Sequence, residues 1–171
     1  PIVPSFEKMF AARQCREPMT TIEMTDEMIE DAIEKYAAAA ARCQQAGFEM
    51  CLLHGGHGNL ISQFASPLYN KRTDKWGGSL ENRTRFTIEV LDRVRARVGE
   101  NFVIEFRVSA DEIHPEGMHF EETLKYIELF KDKVDILHVS AGLHGEVEYM
   151  RFWWQNYMMR REYNVHYAEK I

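Results

Sequence analysis

Apolar residues recur along much of the chain at the three- and four-residue spacing that is typical of amphipathic helices. Thr25 and Ser79 stand where the first two of these segments need an N-cap, and Gly47 and Gly99 stand where they end. The pattern therefore predicts helices over residues 26–46, 80–98, about 121–130, and from Tyr163 to the end of the sequence.

Between the helical segments lie short, mostly apolar runs that are too short to be helices. Runs of this kind are typical of strands covered on both faces of a parallel sheet. They predict three strands, at residues 48–53, 102–108 and 134–139.

Strict alternation of helices and strands predicts an α/β fold with parallel strands joined by right-handed crossovers. The residues alone leave two architectures open, a doubly wound sheet and a (β/α)8 barrel. The glycine patterns of a Rossmann fold and of a P-loop are absent from the sequence. The glycines at 55–58 precede a predicted polar loop and not a helix, so we expect them to allow close approach at the strand end. A barrel needs about 250 residues, so three strands predict less than half of one.

Composition narrows the class of partner. The chain of 171 residues is 45% hydrophobic, long enough for one core, and its formal net charge is −6. This charge disfavours nucleic acid and anionic membrane surfaces, and no apolar run is long enough for a membrane span. The three cysteines, Cys15, Cys43 and Cys51, share no C-x-x-C spacing, which favours a reducing, cytoplasmic location. We expect a small-molecule partner. The sequence starts at Pro1 without an initiator methionine, which suggests a piece of a longer polypeptide.

Polar side chains stand at the carboxyl end of each predicted strand. His54 and His57 follow the first strand, Arg107 lies near the end of the second, and Ser140 follows the third. Carboxyl ends of parallel strands are where α/β proteins bind ligands, so these four residues are predicted to converge.

The histidine pair allows several interpretations. Two imidazoles three residues apart could donate two N–H groups to one carbonyl or carboxylate oxygen. Alternatively, one imidazole satisfies buried backbone carbonyls, or both belong to a metal site completed by His138, His144 or Asp111.

Arg107 predicts an anionic or electron-rich partner, since its guanidinium is permanently charged. The alternative is a salt bridge to Glu105 or Asp111.

Two other segments are expected to be structural. Trp153 and Trp154 with their aromatic neighbours favour core or interface packing over base stacking, because the net charge opposes nucleic acid. Lys71, Arg72 and Asp74 are typical of a solvated loop.

A more specific signal is a series of motifs that spans about residues 13–145. The sequence resembles the old yellow enzyme family, and in particular its 2,4-dienoyl-CoA-reductase-like branch of NADH:flavin oxidoreductases. The motifs that carry the resemblance are Met24-Thr25, Ala46-Gly47-Phe48, His54-Gly55-Gly56-His57-Gly58, Gln63-Phe64, Ser66-Pro67-Leu68, Asn70-Lys71-Arg72-Thr73-Asp74, Gly77-Gly78-Ser79-Leu80-Glu81-Asn82-Arg83, Arg85-Phe86, Arg107-Val108-Ser109 and His138-Val139-Ser140-Ala141-Gly142.

The resemblance implies a partial (β/α)8 TIM barrel, with residues 1–171 forming the central part of one FMN-binding domain. It implies that FMN, reduced by NAD(P)H, passes hydride to an alkene conjugated to a carbonyl. By the same resemblance, His54 and His57 hydrogen-bond the substrate's carbonyl oxygen, and Arg107 faces the pyrimidine edge of the flavin.

The sequence departs from the family in three respects. Asn59 stands where the family usually has the tyrosine that protonates the α-carbon, and an amide is a poor acid. Trp76 replaces another usual tyrosine. The earlier and later strands of the barrel are not in the sequence. Neither are the further domains that, in larger members, hold FAD and an iron–sulfur cluster.

The resulting hypothesis is that the chain is a fragment of an FMN-dependent ene-reductase. It is expected to be inactive without the remainder of its barrel, and a homo-oligomer is possible. Enoyl-CoA thioesters, cinnamate-like acids and steroid or bile-acid enones are all open as substrates. Two alternatives stand beside it: a metal-dependent barrel hydrolase, and a non-catalytic remnant that binds a partner through Trp153 and Trp154.

Overall fold

The structure of the chain is a computed structural model that describes residues 22–144, 149, 151–152 and 161–171. Five helices and three strands are described in full, with a 3-10 turn at Lys131–Lys133. In chain order they are α1 (Asp26–Gln45), β1 (Met50–Gly55), α2 (Leu60–Ala65), α3 (Leu80–Val98), β2 (Val103–Ser109), α4 (Phe120–Glu128), β3 (Ile136–Ser140) and α5 (Val165–Lys170).

The strands form one parallel sheet in the order β1-β2-β3, which confirms the predicted α/β fold with consecutive parallel strands. The register places His54 opposite Arg107, and Arg107 opposite His138. Polar residues of the three strands are therefore neighbours across the sheet.

One face of the sheet is buried beneath the helices. Ile104, Phe106 and Val108 of β2 are fully buried and belong to the same core as the apolar faces of α1, α3 and α4. Those faces are the ones that the helical spacing predicts, and both N-caps are confirmed by hydrogen bonds of 3.3 Å from backbone N–H groups to the hydroxyls of Thr25 and Ser79.

The prediction that the strands are covered on both faces is wrong for the described chain. Met50 is 40% exposed, Leu52 is 44% exposed and Ile136 is 45% exposed. The helices α1, α3 and α4 pack against the opposite face, so alternate strand residues remain open.

The segment after His57 is not the helix-free loop that its polar sequence predicts. Helix α2 begins at Leu60, directly after Asn59 in the N-cap position. The helix forms because Ile61, Phe64 and Ala65 have helical spacing and are all fully buried.

Several predicted boundaries also move: β1 is Met50–Gly55 where residues 48–53 are predicted, and α5 begins at Val165 and not at Tyr163. Helix α4 ends at Glu128, before the predicted limit, and the 3-10 turn follows it. Strand β3 begins at Ile136, and just before it the backbone N–H of Asp135 donates to the Ile104 carbonyl at 3.0 Å while the Asp135 carboxylate accepts from the Ile104 N–H at 2.7 Å.

The interpretation of Arg72 as part of a solvated loop is wrong, because its side chain is only 6% exposed. The guanidinium bonds the Met24 carbonyl at 2.7 Å and pairs with Asp74. Its charge is thus neutralised inside a tight turn. Trp153 and Trp154 lie outside the described residues, so their predicted packing stays a prediction. No helix among the described residues has the length and apolarity to cross a membrane.

Candidate functional site

The carboxyl edge of the sheet brings together the four residues that the strand pattern singles out. His54 and Arg107 lie on neighbouring strands in register, and Ser140 ends the third strand. His57 lies in the turn that follows β1, where its backbone forms an isolated bridge with Leu143 beyond β3. The predicted convergence is therefore present.

The turn that carries His57 is held tightly against β2. An added Cβ at Gly55 would lie 2.1 Å from Cζ of Phe106, and one at Gly56 would lie 2.9 Å from the backbone nitrogen of Ser109. Glycine is therefore required for this approach, as the sequence predicts. His57 itself has a positive φ of 58°.

Ser109 fixes both the turn and the loop beyond β3. Its hydroxyl accepts a hydrogen bond of 3.0 Å from the backbone N–H of His57 and donates one of 3.0 Å to the carbonyl of Gly142. The His57 ring is consequently fully buried, with little freedom to move.

The side chains of the site form a continuous series of hydrogen bonds. Nδ1 of His57 lies 3.2 Å from Nε2 of His54, and Nε2 of His57 lies 2.9 Å from Oγ of Ser140. Nη2 of Arg107 donates to the same Oγ at 3.2 Å. One hydroxyl thus joins the guanidinium to the imidazole pair.

Both imidazoles are neutral at neutral pH. Burial, reinforced by the nearby positive charge of Arg107, lowers the pKa of His54 to about 4 and that of His57 to about 2. Burial also lowers the pKa of Arg107, whose guanidinium nevertheless remains charged. The site therefore carries positive charge on the arginine alone.

Neither carboxylate that the sequence offers to Arg107 forms a salt bridge with it. Glu105 bonds His138 at 2.8 Å, and Asp111 bonds His119 at 3.3 Å. Among residues 22–144 and the described part of the tail, no ion pair of Arg107 is present.

Three buried atoms at or beside the site have no hydrogen-bond partner within the described part of the chain: Nδ1 of His54, Nε of Arg107 and Oδ1 of Asn164. A cavity of about 410 Å³ opens beside Arg107. It is lined by Arg107, His138, Val139, Ser140, Glu162, Asn164, Val165 and Ala168. Unpartnered buried polar atoms are costly, so the Nε of Arg107, a residue that lines this cavity, favours a bound ligand there.

Asn59 is positioned differently from the other predicted site residues. Its side-chain amide donates a hydrogen bond of 3.0 Å to the carbonyl of Gly56. Its backbone carbonyl accepts a hydrogen bond from the backbone N–H of Gln63 in α2. The Asn59 side chain thus stabilises the turn.

His144, which the sequence offers only as a metal ligand, lies beside the histidine pair. Its backbone N–H donates to the His57 carbonyl at 3.1 Å, and the two ring centroids are 5.8 Å apart. Its position just beyond β3, at the same edge as Ser140, is a signal that the sequence already contained. Across the described residues, no group of three His, Cys, Asp or Glu side chains is arranged to hold a metal ion.

The motif block over residues 70–83 stabilises the fold. Asn70 donates to the carbonyls of Phe64 and Trp76 at 2.7 Å each. Arg83 bonds the Ala65 carbonyl and pairs with Glu122. These contacts anchor the segment that follows α2 and contribute no side chain to the hydrogen-bonded series.

Comparison with known proteins gives a consistent set of matches. The sequence model described as the NADH:flavin oxidoreductase / NADH oxidase family matches residues 3–170. An NADH oxidase of Thermoanaerobacter brockii is 45% identical over 123 residues, which are 71% of this chain and 19% of that protein. An NADPH dehydrogenase of Bacillus cytotoxicus is 43% identical over 71% of this chain and 35% of that protein. The chain therefore spans between about a fifth and a third of the length of these relatives.

Solved structures show the same likeness. A 2-naphthoyl-CoA reductase in complex with 2-naphthoyl-CoA matches 92% of this chain and 24% of its own, with 31% identity and a TM-score of 0.81. A histamine dehydrogenase of Rhizobium sp. 4-9 matches 75% of this chain and 19% of its own, with 33% identity and a TM-score of 0.71.

Proposed function

Because the chain belongs to the NADH:flavin oxidoreductase / NADH oxidase family, we propose that it forms the central part of an FMN-binding TIM-barrel domain that reduces alkenes conjugated to a carbonyl. The observation that carries the proposal is the meeting of His54, His57 and Arg107 at one edge of the sheet. Two of these side chains have buried nitrogen atoms without partners in the described chain.

The residues present fit the flavin. Arg107 offers a charged guanidinium without an ion pair among the described residues, and its Nε–H has no partner there. This donor set suits the electron-rich pyrimidine edge of an isoalloxazine ring. Bound FMN would accept hydride from NAD(P)H and deliver it to the alkene. Positive charge from Arg107 would favour flavin reduction, because the reduced ring is anionic.

His54 and His57 are proposed to bind the carbonyl oxygen of the substrate. Adding hydride to the β-carbon builds negative charge on this oxygen, so a donor that is already in place lowers the barrier. The unpartnered Nδ1 of His54 is available for this bond. The two imidazoles are close enough to act on one oxygen, since Nδ1 of His57 lies 3.2 Å from Nε2 of His54.

The α-carbon must then receive a proton, and Asn59 cannot supply it. Water or another donor must supply it.

The substrate class follows from the donors at the site. Enoyl-CoA thioesters, cinnamate-like acids and steroid or bile-acid enones all carry the conjugated carbonyl. The 2-naphthoyl-CoA reductase among the similar structures is bound to the thioester 2-naphthoyl-CoA, so thioesters are the class to test once a simple enone has shown the reaction.

The test uses the longest polypeptide that carries this sequence. We expect it to bind FMN, to lose its visible flavin absorbance with NAD(P)H in the absence of oxygen, and to regain the absorbance on addition of 2-cyclohexen-1-one. His54→Ala should retain FMN and the reductive step but slow reoxidation by the enone about 10²-fold, the typical cost of losing one oxyanion donor.

His119→Ala is the matched control, because this exposed histidine lies outside the proposed site. It should leave both steps unchanged. A protein that fails to bind flavin, or a His54→Ala variant that behaves like the control, would contradict the proposed function.

A further inference from the structure

We propose that Asn164 is a binding residue for the pyrimidine ring of the flavin, and that its side-chain amide accepts a hydrogen bond from N3–H of that ring. The proposal rests on the proposed function for the identity of FMN as the cofactor. It adds to the site a residue from the segment before α5, well beyond the three strands.

Two segments that are distant in sequence line the cavity of about 410 Å³ beside Arg107. Arg107 and residues 138–140 of β3 form the sheet side of this cavity. Asn164 and three neighbours, in the segment that leads into α5 and in α5 itself, form the other side. A ligand in this space therefore contacts both segments.

Each side of the cavity carries one buried polar atom that lacks a hydrogen-bond partner among the described residues. Nε of Arg107 is a donor, and Oδ1 of Asn164 is an acceptor. Although the two atoms are of complementary kinds, they do not bond each other. Because an unpartnered buried polar atom is costly, the pair favours a ligand that accepts from Arg107 and donates to Asn164.

The other two polar residues on the sheet side of the cavity already have side-chain partners. Nδ1 of His138 lies 2.8 Å from Oε1 of Glu105, and Oγ of Ser140 contacts both Arg107 and His57. Of the residues that line the cavity, only Arg107 and Asn164 have a buried side-chain nitrogen or oxygen without a partner in the described chain.

Helix capping does not account for the Asn164 side chain. Asn164 stands in the N-cap position of α5, where an asparagine oxygen ordinarily accepts from a backbone N–H of the first turn. Its side chain forms no such bond, and its φ of −93° and ψ of −5° are helical, whereas a capping residue is typically extended. The amide is thus left for another partner.

The pyrimidine ring of a flavin has the pattern of groups that this pair of residues requires. Its edge presents N3–H between two carbonyl oxygens. An asparagine amide has an acceptor and a donor side by side, so it can pair with N3–H and with one of these carbonyls. The other carbonyl is left for the guanidinium of Arg107, which can only donate.

Simple anions fit this pair of residues less well. A carboxylate or a phosphate dianion accepts from Arg107 but has no hydrogen to donate, so Oδ1 of Asn164 would stay buried without a partner. The carboxamide of a nicotinamide cofactor does offer both a carbonyl and an N–H group. The test therefore has to separate the nicotinamide from the flavin.

A flavin analogue measures the proposed hydrogen bond directly. The sample is the longest polypeptide that carries this sequence, freed of flavin, and the dissociation constant is obtained from the change in flavin fluorescence on binding. N3-methyl-FMN has no N3–H, so wild type should bind it about tenfold more weakly than FMN, as expected for one lost hydrogen bond. This comparison depends on no variant.

Asn164→Ala tests whether Asn164 is the residue responsible. The variant should bind FMN about tenfold more weakly than wild type does. It should bind N3-methyl-FMN as well as it binds FMN, because the penalty of the methyl group depends on the amide. Asn101→Ala is the matched control, since this exposed asparagine precedes β2 and does not line the cavity. It should have wild-type dissociation constants for both flavins.

The outcomes separate this proposal from the proposed function. Equal affinities of wild type for the two flavins, or a methyl penalty that persists in Asn164→Ala, would overturn the role of Asn164 even in a protein that reduces enones. A raised KM for NADH in Asn164→Ala, with unchanged affinity for FMN, would assign the amide to the nicotinamide and overturn it as well. Conversely, a methyl penalty that disappears in Asn164→Ala, in a protein that reduces no enone, would support this proposal and contradict the proposed function.

Discussion

Glu112 is buried as deeply as His57, and burial favours the neutral form of both groups, which shifts their pKa values in opposite directions. Its Oε2 accepts a hydrogen bond of 2.6 Å from the Ser66 hydroxyl and one of 2.7 Å from the backbone N–H of Met118. Burial raises the pKa of Glu112 to about 7, although these two donors oppose the rise. The carboxyl group therefore titrates near neutral pH in the folded protein.

This titration gives Glu112 a pH-dependent effect on stability. Its pKa in the folded state lies above the ordinary value of 4.5, so the folded state binds more protons between the two values. The contribution is fully present below about pH 4.5 and is lost as pH rises through about 7. The lowered pKa of His54 acts in the opposite sense, because its contribution is present above about pH 6.5 and is lost as pH falls through about 4.

We predict that Glu112→Gln removes the loss of stability toward neutral pH. The free energy of unfolding of wild type minus that of the variant should fall between pH 5 and pH 7.5 in urea titrations. Glu116→Gln, at an exposed position, is the control and should give a constant difference. A difference for Glu112→Gln that is constant or grows over this range would contradict the assignment.

At the scale of elements, the junction of β1 and β2 is the tightest packing near the site. The side chain of Phe106 is fully buried, lies tilted against Phe130 at 4.9 Å between ring centroids, and covers the backbone of Gly55. The turn that carries His57 can lie against β2 only because Gly55 has no side chain between the two segments.

We predict that Gly55→Ala lowers the free energy of unfolding by about 1–3 kcal/mol, the usual cost of overpacking a core. In a double-mutant cycle, Phe106→Leu should relieve part of this cost, because the smaller side chain vacates the position of the added Cβ. Additive effects of the two substitutions in chemical denaturation would show that the contact is not the source of the strain.

Helices could be predicted from the sequence where the spacing of apolar residues within the helix is enough to define it. The helices α1 and α3 have long apolar faces and hydroxyl N-caps, so both were predicted almost to the residue. The short helix α2 was not, since six residues give too little periodicity and its burial depends on residues distant in sequence.

The site was predictable in outline for a different reason. Parallel strands place their carboxyl ends at one edge, so His54, Arg107 and Ser140 had to be neighbours once the fold was known. The bonds of Ser109 to the turn, the burial of Arg72 and the inward amide of Asn59 depend on side-chain rotamers, which spacing does not specify.

At the scale of the whole molecule, the sheet has two unlike faces. One is sealed by helices, whereas the other carries His54, Arg107 and Ser140 together with the exposed apolar side chains of Met50, Leu52 and Ile136. Parallel sheets are ordinarily covered on both faces. In the proposed barrel this second face lines the interior, and the three polar side chains lie at its carboxyl rim, where barrels bind their ligands.

The most direct test of this account is a crystal structure of the longest polypeptide that carries the sequence, with FMN and an enone bound. We expect the carbonyl oxygen about 3 Å from Nδ1 of His54 and the Arg107 guanidinium against the pyrimidine edge of the flavin. A flavin or enone bound away from these two side chains would contradict the account.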